Sequence, residues 1–182
     1  MIWLNYSDTH LNNEIVQQKW DYNTQWTDYL LYRKDTIGEY LLINKFKEHG
    51  FPNSVFEYRK NDLIVFSNNS YKNISSYDDS SRFDTNIPIG IDAIIEHEND
   101  YKNCFEEIRK LTETKAKLKV LITYPPNDNS KISIIKKMKE GISQSNSYLE
   151  ENNQTEYLLV LGKITPNIKW EFIVFDTRGN IK

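Results

Sequence analysis

At 182 residues the chain is long enough for one domain with a proper core and too short for two comfortable ones. Hydrophobic residues make up 38% of it and no apolar run approaches a bilayer span; Met1–Tyr6 is too short and, beyond Leu4, too polar for a signal peptide, so a soluble chain away from membranes is expected. Cys104 is the single cysteine, which excludes an internal disulfide or a Cys-based zinc site and points to the cytoplasm, while the formal net charge of −3 lacks the basic excess that announces a nucleic-acid binder.

Residues 1–35 read as a helical N-terminal extension, Asn- and Gln-rich with scattered Trp and Tyr, in which Trp26, Tyr29, Leu30 and Arg33 recur at helical spacing. Thr36-Ile37-Gly38-Glu39 fits a capping box, Tyr40, Leu41, Leu42, Ile43 and Phe46 continue the helix Ile37–His49, and Gly50 ends it. Val55–Arg59 and Asp62–Phe66 read as strands joined at Lys60-Asn61, and the polar stretch from Ser67 to Asn86 reads as a long exposed loop. Ile89–Glu98 is an apolar strand that ends in acids. Asn99 or Asp100 then caps a helix whose apolar stripe is Tyr101, Cys104, Phe105, Ile108 and Leu111. Lys119–Tyr124 is a buried strand stopped by Pro125-Pro126, Lys131–Gly141 a basic amphipathic helix, and Glu156–Leu161 and Lys169–Phe175 the closing strands. Strands first paired as a meander and then crossed over by helices imply an α/β fold, a mixed central sheet with helices on its faces. Richness in Asn, Ile, Lys and Tyr is that of an AT-biased coding genome, bacterial or phage.

Familiar sites are missing. There is no GxxxxGK[ST] or GxGxxG phosphate cradle, His10, His49 and His97 fall in no zinc spacing, and no GxSxG elbow occurs. What remains is carboxylates on strands. Alternate residues of a strand share a face, so Glu96 and Glu98 project on one side ~7 Å apart. If strands 62–66 and 89–98 pair antiparallel, Asp62 lies near Glu96 and on the same face. Convergent acids at a sheet edge suit a hard cation, Mg2+ or Mn2+, able to polarise a phosphodiester. Asp84 rivals Asp62 for the same corner under a different pairing of the loop, and Asp92 lies ~13 Å down the strand from Glu96.

The order helix with Gly38-Glu39, Gly50-Phe51, strand, strand bearing an acid, strand ending in Glu-x-Glu, helix, strand resembles the PD-(D/E)XK nuclease superfamily, which includes restriction endonucleases and Holliday-junction resolvases. The resemblance spans residues 36–124 of a single domain 1–182, to which 125–182 add a helix and two strands. It implies a restriction-endonuclease-like helix-β-β-β-helix-β core and a Mg2+- or Mn2+-dependent endonuclease acting on DNA. Asp62 and Glu96 would be metal ligands, Glu98 would stand at the position of the superfamily's lysine, and Glu39 would match the acid that the first helix often contributes. No proline precedes Asp62, and Glu98 departs from the lysine pattern, although some restriction enzymes of the superfamily use Glu-x-Glu. A homodimer is a further implication of the resemblance.

Plainer readings stand beside these. Glu96 and Glu98 would serve equally as strand-end carboxylates paired with Lys102 or Arg109, and Glu39 as a capping residue. His97 faces away from Glu96 as a hydrogen-bonded structural histidine, and Cys104 is a small core residue. Lys131, Lys136, Lys137 and Lys139 form a solvated helix face, with phosphate contact as the functional alternative. Two functions of different class follow: a metal-dependent phosphodiesterase, or a catalytically inactive domain of the same fold that binds nucleic acid or a protein partner.

Overall fold

The computed structural model describes Thr27, Leu30, Leu31 and residues 41–58, 61–67, 71–73, 86–88, 90–149, 155–163 and 169–182. It is a mixed α/β fold. Among these residues three helices, α1 (Leu41–Glu48), α2 (Cys104–Glu113) and α3 (Asp128–Leu149), flank a six-stranded sheet. Its strands are β1 (Asn53–Tyr58), β2 (Asn61–Phe66), β5 (Ile91–Glu98), β6 (Ala116–Thr123), β7 (Glu156–Lys163) and β8 (Lys169–Phe175), in the order β1-β2-β5-β6-β7-β8; β3 (Tyr71–Asn73) and β4 (Asn86–Pro88) pair separately. The pairings β1/β2, β2/β5 and β7/β8 are antiparallel, while β5/β6 and β6/β7 are parallel. No helix among the described residues is long and apolar enough to cross a membrane.

The sheet residues alternate between two cores, as period-two side chains must. Leu63, Val65, Ala93, Ile95, Val120 and Ile122 face Leu42, Ile43 and Phe46 of α1, together with Leu30 and Leu31. Ile64, Phe66, Ile94, Leu121, Leu159 and Phe175 face Cys104, Ile108 and Leu111 of α2 and Ile134, Met138 and Ile142 of α3. Both parallel crossovers step the same way along the sheet, so α2 and α3 lie side by side on one face.

The end of α1 follows expectation. Gly50 adopts φ 87°, and the amides of Gly50 and Phe51 donate to the carbonyls of Lys47 and Phe46, each at 3.0 Å, in the pattern of a Schellman cap. Elsewhere the chain departs from the simple pattern. Asp100 does not start α2: its Oδ1 accepts the Lys102 amide at 3.0 Å and its carbonyl accepts the Asn103 amide at 2.8 Å, a tight turn that delays the helix to Cys104. Tyr101 therefore sits in the turn, and Phe105 is 41% exposed, because the inward stripe runs through Cys104, Ile108, Leu111 and Thr112. The second strand connection is not wholly irregular either, since β3 and β4 pair within it. Helix α3 begins after Asn127, whose Oδ1 accepts the Ser130 amide at 2.9 Å as an N-cap, and it runs on through Gly141. Gly141 marks close helix contact and no stop: a Cβ there would stand 2.9 Å from Ile108 Cγ2.

Gly162 is tighter still. A Cβ would meet the Tyr124 ring at 2.4 Å and Trp170 at 3.0 Å, and the Tyr124 hydroxyl is tied to His97 Nε2 at 3.0 Å, so the ring has little freedom to swing away. Gly162→Ala is expected to destabilise the protein by about 1–3 kcal/mol through overpacking, seen as a lowered urea midpoint at unchanged slope. An unchanged midpoint would show that the ring yields freely.

Candidate functional site

The acids gather where β2 begins and β5 ends. The ladder pairs Leu63 with Ile95, Ile64 with Ile94 and Val65 with Ala93; the same register carried one step further sets Asp62 against Glu96. There the side chain of Asp62 substitutes for a backbone acceptor, its Oδ2 taking the His97 amide proton at 2.7 Å. This corner is also the carboxyl edge of the parallel strands, where ligands bind in open α/β sheets.

Glu96 follows Ile94 on the face covered by α2 and is 0% exposed. Above it α2 presents Glu107 and Lys110. Lys110 Nζ lies 2.5 Å from Glu107 Oε2 and 3.5 Å from Glu96 Oε2. Glu96 Oε1 and Glu107 Oε2 are both buried and neither meets a donor group in hydrogen-bonding geometry, which leaves them a proton shared between the two carboxyls. One ammonium thus faces the carboxyls of Glu96 and Glu107, with Asp62 close enough to add its charge. The consequence is a carboxyl that resists ionisation. Burial first, then a hydrogen bond shared with Glu107 and the negative charges of Asp62 and Glu107, push Glu96 from 4.5 up to about 9, and Lys110 offsets this only in part. For Lys110, burial opposes the charged form, yet the hydrogen bond to Glu107 and the surrounding acids hold it above its ordinary value.

Glu98 points to the same side but is engaged locally, its Oε1 accepting the Asp100 amide at 2.7 Å. Burial, opposed by that amide bond, raises its carboxyl, with Glu107 and Asp100 adding repulsion. Its position is that of a turn anchor beside the cluster. The pairings expected with Lys102 and Arg109 give way to Lys110. Arg109 lies on the outer side of α2, bound to Glu106 and Glu113 at 3.2 and 2.9 Å, because one helical residue turns it about 100° from Lys110. Asp92 sits apart, held by Lys117 Nζ at 2.5 Å and the Ser67 amide at 2.6 Å.

The structural assignments of His97 and Cys104 hold. His97 lies on the α1 side, with Nε2 at 3.0 Å from the Tyr124 hydroxyl and Nδ1 at 3.1 Å from Thr27 Oγ1; burial pushes it down to about 3, so it is a neutral hydrogen-bonding ring. Cys104 Sγ lies 3.0 Å from Thr123 Oγ1, and burial, partly offset by that hydroxyl, pushes the thiol up to about 12, which makes it unreactive. Of the α3 lysines, Lys131 binds Glu171 at 2.6 Å, Lys136 lies 3.8 Å from Glu140, Lys137 stands 5.1 Å over the Phe105 ring, and Lys139 is exposed. A groove of about 560 Å³ between α2 and α3, lined by Phe105, Ile108, Thr112, Lys137 and Gly141 with Glu113 and Glu140, includes none of Asp62, Glu96, Glu98 and Glu107. Glu39 and Asp84 fall outside the described residues.

Two residues of the cluster, Glu107 and Lys110, escape a reading that stops at the strand end. The available signal is spacing: Glu107 is three residues from Cys104 on the inward stripe, and Lys110 three further on. As to a metal, no three His, Cys, Asp or Glu side chains among the described residues form a ready-made cage. Mg2+ however keeps several waters and binds through one or two carboxylates. The buried carboxyl of Glu96, at the strand position opposite Asp62, fits that demand. No family model matches the chain, and neither a curated protein nor a solved structure is significantly similar to it.

The raised Glu96 carboxyl has a stability consequence with a definite sign. Between about 4.5 and about 9 the folded state holds a proton that the unfolded chain releases, so its contribution is fully present below the lower value and is lost as pH rises through the upper one. Glu96→Gln, which keeps the shape and cannot ionise, should therefore match wild type near pH 4.5 and be the more stable protein at neutral pH and above. The gain at pH 7 is on the order of 3 kcal/mol, at about 1.4 kcal/mol per unit of displacement. Thermal melts across this range check it, and parallel curves for the two proteins would contradict it.

Proposed function

We propose that this protein is a metal-dependent nuclease that hydrolyses phosphodiester bonds in DNA, with Asp62 and Glu96 as the residues that hold Mg2+ or Mn2+. The observation that carries the reading is Glu96: a fully buried carboxyl, one oxygen without a donor group in hydrogen-bonding geometry, kept beside Asp62 and Glu107 at the carboxyl edge of the sheet. So unfavourable an arrangement of acids is what a cation would relieve. The restriction-endonuclease-like assignment belongs to this proposal. It is supported by the succession α1, β1, β2, β5, α2, β6, with its two antiparallel pairings followed by a parallel one, and by the resemblance to the PD-(D/E)XK superfamily.

The residues divide the work. When bound, the divalent cation supplies Lewis acidity toward the phosphodiester and strengthens a water as nucleophile. Asp62, fixed by the His97 amide, and Glu96, fixed by its burial, are set by the β2/β5 register to hold it. Lys110 brings to the carboxyls the positive charge that the strand lacks at Glu98, and its ammonium, on a side chain 26% exposed, is placed to receive a phosphate oxygen or orient a water. Glu98 anchors the turn that leads into α2 and so sets where Glu107 and Lys110 stand. On α3, Lys136, Lys137 and Lys139 face solvent and serve as contacts for the DNA backbone, with Lys131 also committed to Glu171.

One observation favours the second reading, an inactive domain of this fold that binds nucleic acid or a protein partner: Lys110 already pairs with the Glu107 carboxylate at 2.5 Å and stands 3.5 Å from the neutral Glu96, so the charge at this corner is met from within the fold. Cleavage assays separate the two. Incubation of plasmid and single-stranded DNA with Mg2+ or Mn2+ should give nicking or degradation by wild type and at least a 100-fold loss for Glu96→Ala. Equal nicking by both proteins would remove the catalytic assignment, and no cleavage by wild type of either substrate would leave the inactive domain.

A further inference from the structure

We propose that Glu107 is a third carboxylate of the Asp62–Glu96 site and a direct ligand for the divalent cation taken there; the inference rests on the metal-binding part of the reading above. Three observations lead to it. First, Glu107 is placed on the inward side of α2, with its side chain only 13% exposed, whereas its neighbour Glu106 is 69% exposed and bound to Arg109 on the outer side. An acid among Cys104, Ile108 and Leu111 on a core-facing stripe is costly unless its charge is met. Second, it is met by a cation shared with Glu96: the Lys110 ammonium is 2.5 Å from Glu107 and 3.5 Å from Glu96. The side-chain positions thus already describe a place where positive charge is held between the two carboxyls. Third, Oε1 of the fully buried Glu96 and the buried Oε2 of Glu107 both lack a donor group in hydrogen-bonding geometry. The lysine leaves these two oxygens without a donor, and a cation with several coordination positions would take them.

The two helix residues then act as alternatives. Lys110 is 26% exposed on its helix and has a path to solvent. Its withdrawal leaves Glu107 and Glu96 facing each other across the position it held, with Asp62 joining from β2. A purely structural ion pair between helix and sheet makes the opposite claim: Glu107 and Lys110 would matter to the fold and have no influence on a metal.

The test reads metal binding directly. Mn2+ titrations of the full chain without DNA, followed by electron paramagnetic resonance of the free ion, are compared for wild type, Glu107→Gln, Glu106→Gln and Lys110→Met, with circular dichroism as the check of fold. Glu107→Gln should weaken Mn2+ binding at least ~10-fold, Glu106→Gln should leave it unchanged, and Lys110→Met should tighten it several-fold by removing the competing ammonium. The Lys110→Met arm keeps the inference testable should Glu107→Gln fail to fold, since an unaltered affinity there would overturn the shared position. Wild-type affinity in a folded Glu107→Gln protein, alongside weakened binding by Glu96→Gln, would overturn the role of Glu107 and leave the nuclease reading standing. Glu107-dependent Mn2+ binding by a wild-type protein that cleaves no DNA would uphold the inference and remove the nuclease. No binding by any variant at millimolar Mn2+ would remove both.

Discussion

The burial of the Glu96 carboxyl is the constraint on which the arrangement of this corner depends. A carboxylate out of water is costly unless paired and hydrogen-bonded. Here the nearest cation stands 3.5 Å away and is held more closely by another acid. The structure meets the cost by keeping the group protonated, which is the meaning of a carboxyl raised to about 9. A leucine or glutamine at this position would serve the fold better, so the position is one where stability has been given up. Sites of that kind are where function is first sought.

The rest of the fold fixes this group in place. Antiparallel pairing of β2 with β5 brings Asp62 opposite Glu96, and the Asp62 carboxylate holds the strand end through the His97 amide. Parallel pairing of β5 with β6 forces the chain to return over the sheet, and α2 is that return. Its apolar contacts through Ile108 and Leu111 set its rotation, and that rotation turns Glu107 and Lys110 down and Arg109 out. On the opposite face His97, Tyr124 and Thr27 form a hydrogen-bonded neutral network, which anchors the same strand end from behind without adding charge to it. The acids thus stand on rigid elements, the condition for a site that must hold a geometry.

Much of this was legible in the sequence, and the parts that were not have physical reasons. The strands announced themselves because Leu63–Phe66, Ile94-Ile95 and Val120–Ile122 are buried on both faces and read as continuous apolar runs. The pairing of Asp62 with Glu96 followed from the period of two, and the neutral roles of His97 and Cys104 followed from which face each must occupy. The course of α2 was less legible. Asp100 uses its side chain and carbonyl in a turn, a local competition that a hydrophobic stripe does not register, and Phe105 counted as core although it lies beside the buried stripe. The helix expected over Lys131–Gly141 runs on to Leu149, because the packing of Gly141 against Ile108 exists only in three dimensions. Glu107 and Lys110 were hidden for a related reason: an acid and a base three residues apart on a helix usually make a solvated pair, and only the descent of α2 onto β5 makes them part of a buried cluster.

The central claim, that Glu96 is held as a neutral acid in a place suited to a cation, is tested most directly by 13C NMR of the glutamate side-chain carboxyls as pH is raised, with and without Mg2+. One resonance, missing in Glu96→Gln, should titrate far above the other glutamates, near pH 9, and should move to its ionised position at lower pH when Mg2+ is added. If every glutamate titrates between about pH 3 and 5 and none responds to Mg2+, Glu96 is an ordinary ionised carboxylate and the account is contradicted.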